Sequence, residues 1–326
     1  MKVSSQRPDR LPSLLAPNWP IRWQLKGIFK DLQYVCDLAF HVLAGSAKHA
    51  TPAVRFYGEG SISPDYDKPI CFFCSYDPES IVRKNVHHYL NELKRAGFNI
   101  VFISSSDAIR NEDLEKLSRC CIRIMNRENK GYDFYGWKTG LEKYAEYKFH
   151  PGLLLANDSV LGPLFSISDV VERVNSCNAD MVGMTESFLF HPHLQSYFIY
   201  CKKNVFLSDE FAQFFRAVAT LEPKIAIIRK YEVGFSRLLS RRFRLSALYD
   251  LETVLARADY NQRPANWVEP TFHLWKPLIT EFNFPFLKKS VLMRRGVSLE
   301  EIGGVLAESG SSYDLDILDD WVARLG

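Results

Sequence analysis

From residue 70 onward, apolar runs of strand length alternate with amphipathic stretches. "ICFFCSY" is a continuous apolar run and predicts a buried strand. "PESIVRKNVHHYLNELKRAG" has helical spacing, with Asp77 and Pro78 as cap and first turn and Gly97 as the stop. "NIVFISSS" predicts a second strand, "NEDLEKLSRC" a short helix and "CIRIMN" a third strand. "NRENKGYDFYGWKTGLE" then leads into a helix running to about Tyr147. "GLLLAND" and "DMVGMTES" predict a fourth and a fifth strand. Strand and helix in alternation imply an α/β fold, with a mainly parallel central sheet and helices on both faces. Such sheets bind ligands beyond the carboxyl ends of their strands.

The flanks follow other patterns. Residues 1–20 are rich in proline and read as an extended arm. Ile21, Leu25, Ile28, Leu32, Val35, Ala39 and Val42 then recur at spacings of four and three, one face of an amphipathic helix. That helix either docks on the domain or lies on a membrane surface through residues 19–43, since Trp19, Trp23 and basic residues stand near it. Residues 44–69 carry scattered Gly, Ser and Pro and read as a linker. After the fifth strand, "LQSYFIYCKK" predicts a strand, while "SDEFAQFFRAVATL" and "KYEVGFSRLLSRRF" predict helices. "SLEEIGGVLAESG" and "YDLDILDDWVARLG" read as two C-terminal amphipathic helices. Three parts are therefore expected: 1–69 as arm, helix and linker, 70–290 as the α/β domain, and 291–326 as a helical extension packed on it.

Composition narrows the function classes. With 47% hydrophobic residues the chain buries a sizeable core. A net charge of +3 without a dense Lys/Arg block argues against nucleic acid as partner. Seven cysteines, an odd number, make no secreted disulfide framework. Cys71 and Cys74 form a CxxC inside an apolar run, where buried strand thiols are expected rather than a redox pair. The expected location is cytoplasmic, with peripheral attachment to the inner face of the plasma membrane as the alternative. No signal peptide and no membrane-spanning run is read in the sequence.

Chemistry-bearing residues gather at the predicted strand ends. Ser75, Tyr76 and Asp77 follow the first strand, and Ser104, Ser105, Ser106 and Asp107 the second. Arg127, Asn129, Gly131 and Asp133 follow the third, Asn157, Asp158 and Ser159 the fourth, and Thr185 and Glu186 the fifth. One strand-end Asp is an ordinary helix cap. Five polar strand ends on one sheet suggest a binding edge. A buried strand ending in a carboxylate suits hard-oxygen chemistry such as Mg2+ or Mn2+.

"RENKGYDFYGWKTGLE", "LLLANDSVLGPL", "DMVGMTES", "HLQSYFIY", "YEVGFSRLL" and "EPTFHLWKPLI…FPFLKK", in this order, resemble the rhamnan synthesis protein F family over about residues 70–290. These are bacterial glycosyltransferases of surface polysaccharide assembly. The resemblance implies a GT-A-like, Rossmann-like domain and a nucleotide-diphospho-sugar donor. It implies a deoxyhexose such as L-rhamnose as the sugar and a growing surface polysaccharide, lipopolysaccharide O-chain or other lipid-linked glycan as acceptor. It places Tyr76, Asp77, Ser105 and Asp107 at the nucleoside. Arg127, Asn129, Gly131 and Asp133 fall at the diphosphate and sugar. Asn157, Asp158 and Ser159 stand where a DxD motif would hold the metal.

With one carboxylate there, either Asp158 binds Mg2+ or Mn2+ with help from phosphate and water, or the enzyme works without metal. In the second case Arg127 and Lys130 are expected to face the diphosphate. His273 is a further candidate metal ligand. Glu232, in "YEVGFSRLL" at an expected helix start, and Glu186 are the candidate catalytic bases of an inverting transfer. The competing reading is a non-catalytic, degenerate GT-A domain that scaffolds a glycan-assembly complex.

Overall fold

The computed structural model describes residues 53–220 and 227–318, with Phe29, Leu32, Val35 and Cys36 as isolated positions. These four positions are helical and exposed. The rest of the predicted 21–43 stripe, the arm before it and the end of the last tail helix lie outside the described residues.

The strands are β1 (Val54–Glu59), β2 (Ile70–Ser75), β3 (Asn99–Ser104), β4 (Arg123–Arg127), β5 (Gly152–Asn157), β6 (Val160–Leu161), β7 (Met181–Ser187), β8 (His193–Leu194), β9 (Phe198–Lys202), β10 (Leu245–Tyr249) and β11 (Leu287–Lys288). Among the described residues nine of them form one sheet in the order β1-β4-β3-β2-β5-β9-β7-β10, with β8 against β7. The pairs β4–β3, β3–β2, β2–β5 and β7–β10 are parallel. β9 runs antiparallel between β5 and β7, and β1 and β8 are antiparallel to their neighbours. Consequently β2, β3, β4, β5, β7 and β10 all point one way, and their carboxyl ends share one edge.

The two-residue period of the strands explains why the sheet is covered on both faces. Cys71, Phe73, Ile100, Phe102 and Leu154 point into one core, where the helix Lys84–Arg95 brings Val86, Tyr89, Leu90 and Leu93. Ile70, Phe72, Val101, Ile103, Leu153 and Leu155 point into the other, with Phe134, Trp137 and Leu141 of the helix Tyr132–Lys143. Cys71 and Cys74 are buried free thiols whose burial holds them protonated, as a buried strand requires.

Four readings change. Residues 54–59 are not linker but edge strand β1, ordered by β4. β10 and the helix Ile167–Ser176 were not read from the sequence at all. The first helix begins at Lys84, not at Pro78. The Asp77 carboxylate accepts from the Glu79 and Ile81 amides and from Arg83 Nε at 2.9 Å, and Ser80 takes a positive φ of 58°. Asp77 thus closes a turn ahead of the helix instead of capping it.

A third apolar cluster joins the end of the chain to the domain. β11 pairs with β6, and Leu161, Leu164, Trp275, Ile279, Leu287, Val291, Ile302, Val305, Leu306 and Leu318 pack together. The helices Trp275–Phe282 and Leu299–Glu308 supply Trp275, Ile279, Ile302, Val305 and Leu306 of this cluster.

Candidate functional site at the strand ends

β5 ends in Asn157, and its neighbours on the shared edge determine what surrounds it. The Asp158 amide donates to Cys74 O at 3.1 Å, tying the turn to β2. Asp158 Oδ2 accepts from Ser75 Oγ at 3.0 Å and from the Tyr76 amide at 3.4 Å. Lys289 Nζ stands 3.3 Å from the same oxygen. Asn157 faces the other way. Its Nδ2 donates to Asp133 Oδ2 at 2.9 Å, and its Oδ1 accepts from the Ser159 amide and hydroxyl. Residues from the first, third and fourth strand ends therefore meet around the Asn157–Ser159 turn.

A second group continues from the first. Lys288 Nζ donates to Glu269 Oε1 at 2.9 Å, and Gln195 Nε2 donates to the same oxygen at 2.8 Å. Thr271 also donates to it. Burial pushes the Glu269 carboxyl up, but Lys288 and these hydrogen bonds outweigh it and hold the group below its ordinary range. Thr185 Oγ1 donates to Gln195 Oε1 at 2.7 Å and lies 2.6 Å from the Tyr197 hydroxyl. The next residue, Ser196, donates its amide to Glu232 Oε1 at 2.7 Å. Consecutive residues thus link Asp158 to Glu232: Lys289 and Lys288, Glu269, then Gln195 and Ser196.

Glu232 does not open a helix as expected. It lies in the π-helical turn Ile228–Val233, which runs directly into the helix Gly234–Leu239. Such wide turns re-aim a side chain and are frequent at functional sites. Glu186, on β7, accepts from the Leu251 amide at 3.2 Å, and burial raises its carboxyl above the usual range.

Arg127 departs from expectation. It is 2% exposed, and its guanidinium donates to the carbonyls of Glu128, Lys130 and Tyr132. Burial lowers its basicity. Instead of reaching outward it holds the loop between β4 and the following helix from inside. Lys130 pairs with Glu128 of the same loop. Gly131 is in the left-handed region at φ 77°, and a Cβ there would lie 2.8 Å from Tyr135 Cβ. Asn129 is exposed, and Asp133 sits in the first helical turn.

Ser105 donates to Ser75 O, so the ends of β3 and β2 meet. Asp77 is buried and engaged by Arg83, while Tyr76 is exposed. The Asp107 side chain is 89% exposed and lies 3.8 Å from Arg55. His273 Nδ1 accepts from the Glu269 amide at 2.8 Å and closes a local turn.

A resident Mg2+ or Mn2+ needs several hard oxygen ligands. Asp158 offers its Oδ2 to three donors already, one of them cationic. Among the described residues no group of three or more His, Cys, Asp or Glu is placed to hold a metal. The donor set does not fit a resident divalent ion.

Sequence reasoning missed Lys288, Lys289, Glu269 and Gln195. The signal was present in "FPFLKK", where two lysines end a buried apolar run, and in "VEPTFH", where a glutamate precedes a proline turn.

Fold and site together define an α/β protein with a polar edge at the carboxyl ends of a mainly parallel sheet. The chain belongs to the rhamnan synthesis protein F family, whose model matches residues 100–320. Among curated proteins it is 28% identical over 186 residues to the uncharacterized protein y4gN of Sinorhizobium fredii, covering 55% of this chain. The chain spans about half the length, 48%, of that relative. It is 23% identical to the virulence protein VirA of Vibrio anguillarum, over 76% of this chain and 87% of that one. Among solved structures, a mannosyltransferase of Pyrobaculum calidifontis in complex with GDP-Man and Mn2+ is 10% identical. That match covers 91% of this chain and 82% of that one with a TM-score of 0.35, a likeness too slight to carry activity across.

Proposed function

We propose that this chain is a glycosyltransferase that moves a sugar from a nucleotide-diphosphate donor to a growing surface glycan. Membership of the rhamnan synthesis family supports a deoxyhexose such as L-rhamnose as the sugar and an inverting reaction. The observation that carries the reading is the meeting of Ser75, Asp133, Asn157, Asp158 and Lys289 at one sheet edge, linked by consecutive residues to Glu232. In this reading the donor lies across the ends of β2, β3, β4 and β5. Tyr76, Ser105 and Asn129 are exposed or half-exposed there and bind it. Arg127 acts as a positioning residue that shapes the loop.

Glu232 takes the proton of the acceptor hydroxyl as that oxygen attacks the sugar C1. The C1–O bond to the diphosphate breaks, and the electron pair leaves with the phosphate oxygen. Glu186 is the second candidate base, favoured by its raised carboxyl.

The test is release of nucleoside diphosphate from a panel of nucleotide sugars by the purified chain. Turnover of at least one donor is expected, with Asp158→Asn and Glu232→Gln each reducing transfer by about a hundredfold or more. Full activity in both variants would refute the assigned roles, and absence of nucleotide binding would refute the class. The single carboxylate at the Asn157–Ser159 turn favours one alternative, a scaffold domain, whose mark would be nucleotide binding without turnover.

A further inference from the structure

The position of Lys289 bears on how this site handles a diphosphate. Its ammonium and the Asp158 carboxylate are largely withdrawn from solvent, with side chains 15% and 16% exposed. The backbone delivers the lysine there. Lys288 is in register with Val160, and the Lys289 amide donates to Ser159 O at 3.1 Å. Successive side chains then go to different acids, Lys288 to Glu269 and Lys289 to Asp158. A short strand stitched to the Asn157–Ser159 turn therefore carries a cation to the oxygen a divalent ion would need.

Arg127 and Lys130, the basic residues expected at the diphosphate, are committed elsewhere: Arg127 is turned into its loop and Lys130 faces Glu128.

We propose that Lys289 takes the place of the divalent cation: it meets the donor's diphosphate, and the site binds and uses its donor without metal. The proposal rests on the glycosyltransferase reading above. As the C1–O bond breaks, negative charge grows on the departing diphosphate, and a fixed cation in a water-poor site stabilises it without reorganisation. Asp158 is then a positioning residue, holding the ammonium where the phosphate arrives. A lysine acts here as a compact point charge, which suits phosphate.

Two measurements test this. In the first, Mn2+ alone is titrated with the wild-type chain and free Mn2+ followed by electron paramagnetic resonance. No site filling at sub-millimolar Mn2+ is expected. One bound Mn2+ that disappears in Asp158→Asn overturns the proposal, whatever the donor proves to be.

In the second, UDP, dTDP, GDP and CDP are titrated calorimetrically in EDTA and again with Mn2+. The nucleotide that binds is expected to do so equally in both. Lys289→Met, checked for an unchanged melting temperature, is expected to weaken it by about tenfold to a hundredfold. Metal-dependent binding, or unaltered affinity in Lys289→Met, overturns the proposal while leaving the glycosyltransferase reading intact. Binding of no nucleotide in either condition overturns that reading, and the proposal with it.

Discussion

Glu186 and Asp77 are both strand-end carboxylates, yet their surroundings push them in opposite directions. Burial raises the Glu186 carboxyl, and one backbone amide offsets this only in part. A raised acid binds more protons folded than unfolded, so stability falls as pH rises from the unfolded value toward the folded one. Glu186→Gln is therefore expected to raise the melting temperature at neutral pH. The gain should vanish below about pH 4, where the unfolded carboxyl is also protonated. Thermal melts of both proteins from acid to neutral pH check this.

For Asp77, burial also works upward, but Arg83 and the turn amides outweigh it and hold the carboxyl low. Its stabilising contribution is present above the unfolded value and lost as pH falls through the folded one. Asp77→Ala leaves Arg83 without this buried partner and is expected to cost roughly 3 kcal/mol by denaturant unfolding at neutral pH. Both residues were legible as strand-end acids. Their opposite tuning was not, because Leu251 meets Glu186 only through the fold, and Arg83 reaches back to Asp77 only through the local turn at Ser80.

At the scale of elements, the helix Tyr132–Lys143 shows how a motif rich in unusual residues divides its work. Gly136 and Gly140, four apart, face the sheet. A Cβ at Gly136 would lie 2.6 Å from Cys74 Sγ, and one at Gly140 would lie 2.7 Å from Phe72 Cδ1 and Ile103 Cδ1. The glycines let the helix approach β2 and β3. Trp137 is fully buried and donates Nε1–H to Ala156 O at 3.2 Å. Phe134 is the hub of an aromatic group with Trp137, Phe214, Tyr231 and Phe235. Tyr135 is buried, and Tyr132 alone of the motif's aromatics is exposed, at 49%.

Gly136→Val is expected to destabilise the chain by about 1–3 kcal/mol through overpacking. Trp137→Ala is expected to cost about 3–5 kcal/mol. Denaturant midpoints measure both. The sequence pattern marked this segment only as leading into a helix. It could not show that Gly136 and Gly140 were packing residues, because their contacts come from strands tens of residues away.

For the whole molecule, the sheet order matters more than any single strand. Insertion of antiparallel β9 between β5 and β7 leaves the six parallel-directed strands with one common polar edge. Pairing of β11 with β6 then brings Lys288 and Lys289 beside that edge, and the third apolar cluster anchors β11. Ile302→Asp, in a helix far along the chain from the site, is expected to loosen this cluster. Nucleotide binding should fall with it, alongside a lower melting temperature. Calorimetric titration of the variant reads this, and binding as in wild type would show that the cluster does not support the site.

The alternation of buried runs and amphipathic stretches sufficed to determine the α/β class and six of the strands, five of them with their polar ends, since burial on both faces writes itself into continuous apolar segments. Asp158 stood out for the same reason, as a carboxylate ending such a run. Edge strand β1 was illegible because an edge strand has one buried neighbour and a mixed pattern. The partners of Asp158 and Glu232 were illegible too. Lys289 lies more than a hundred residues from Asp158, and only the pairing of β11 with β6 brings them together.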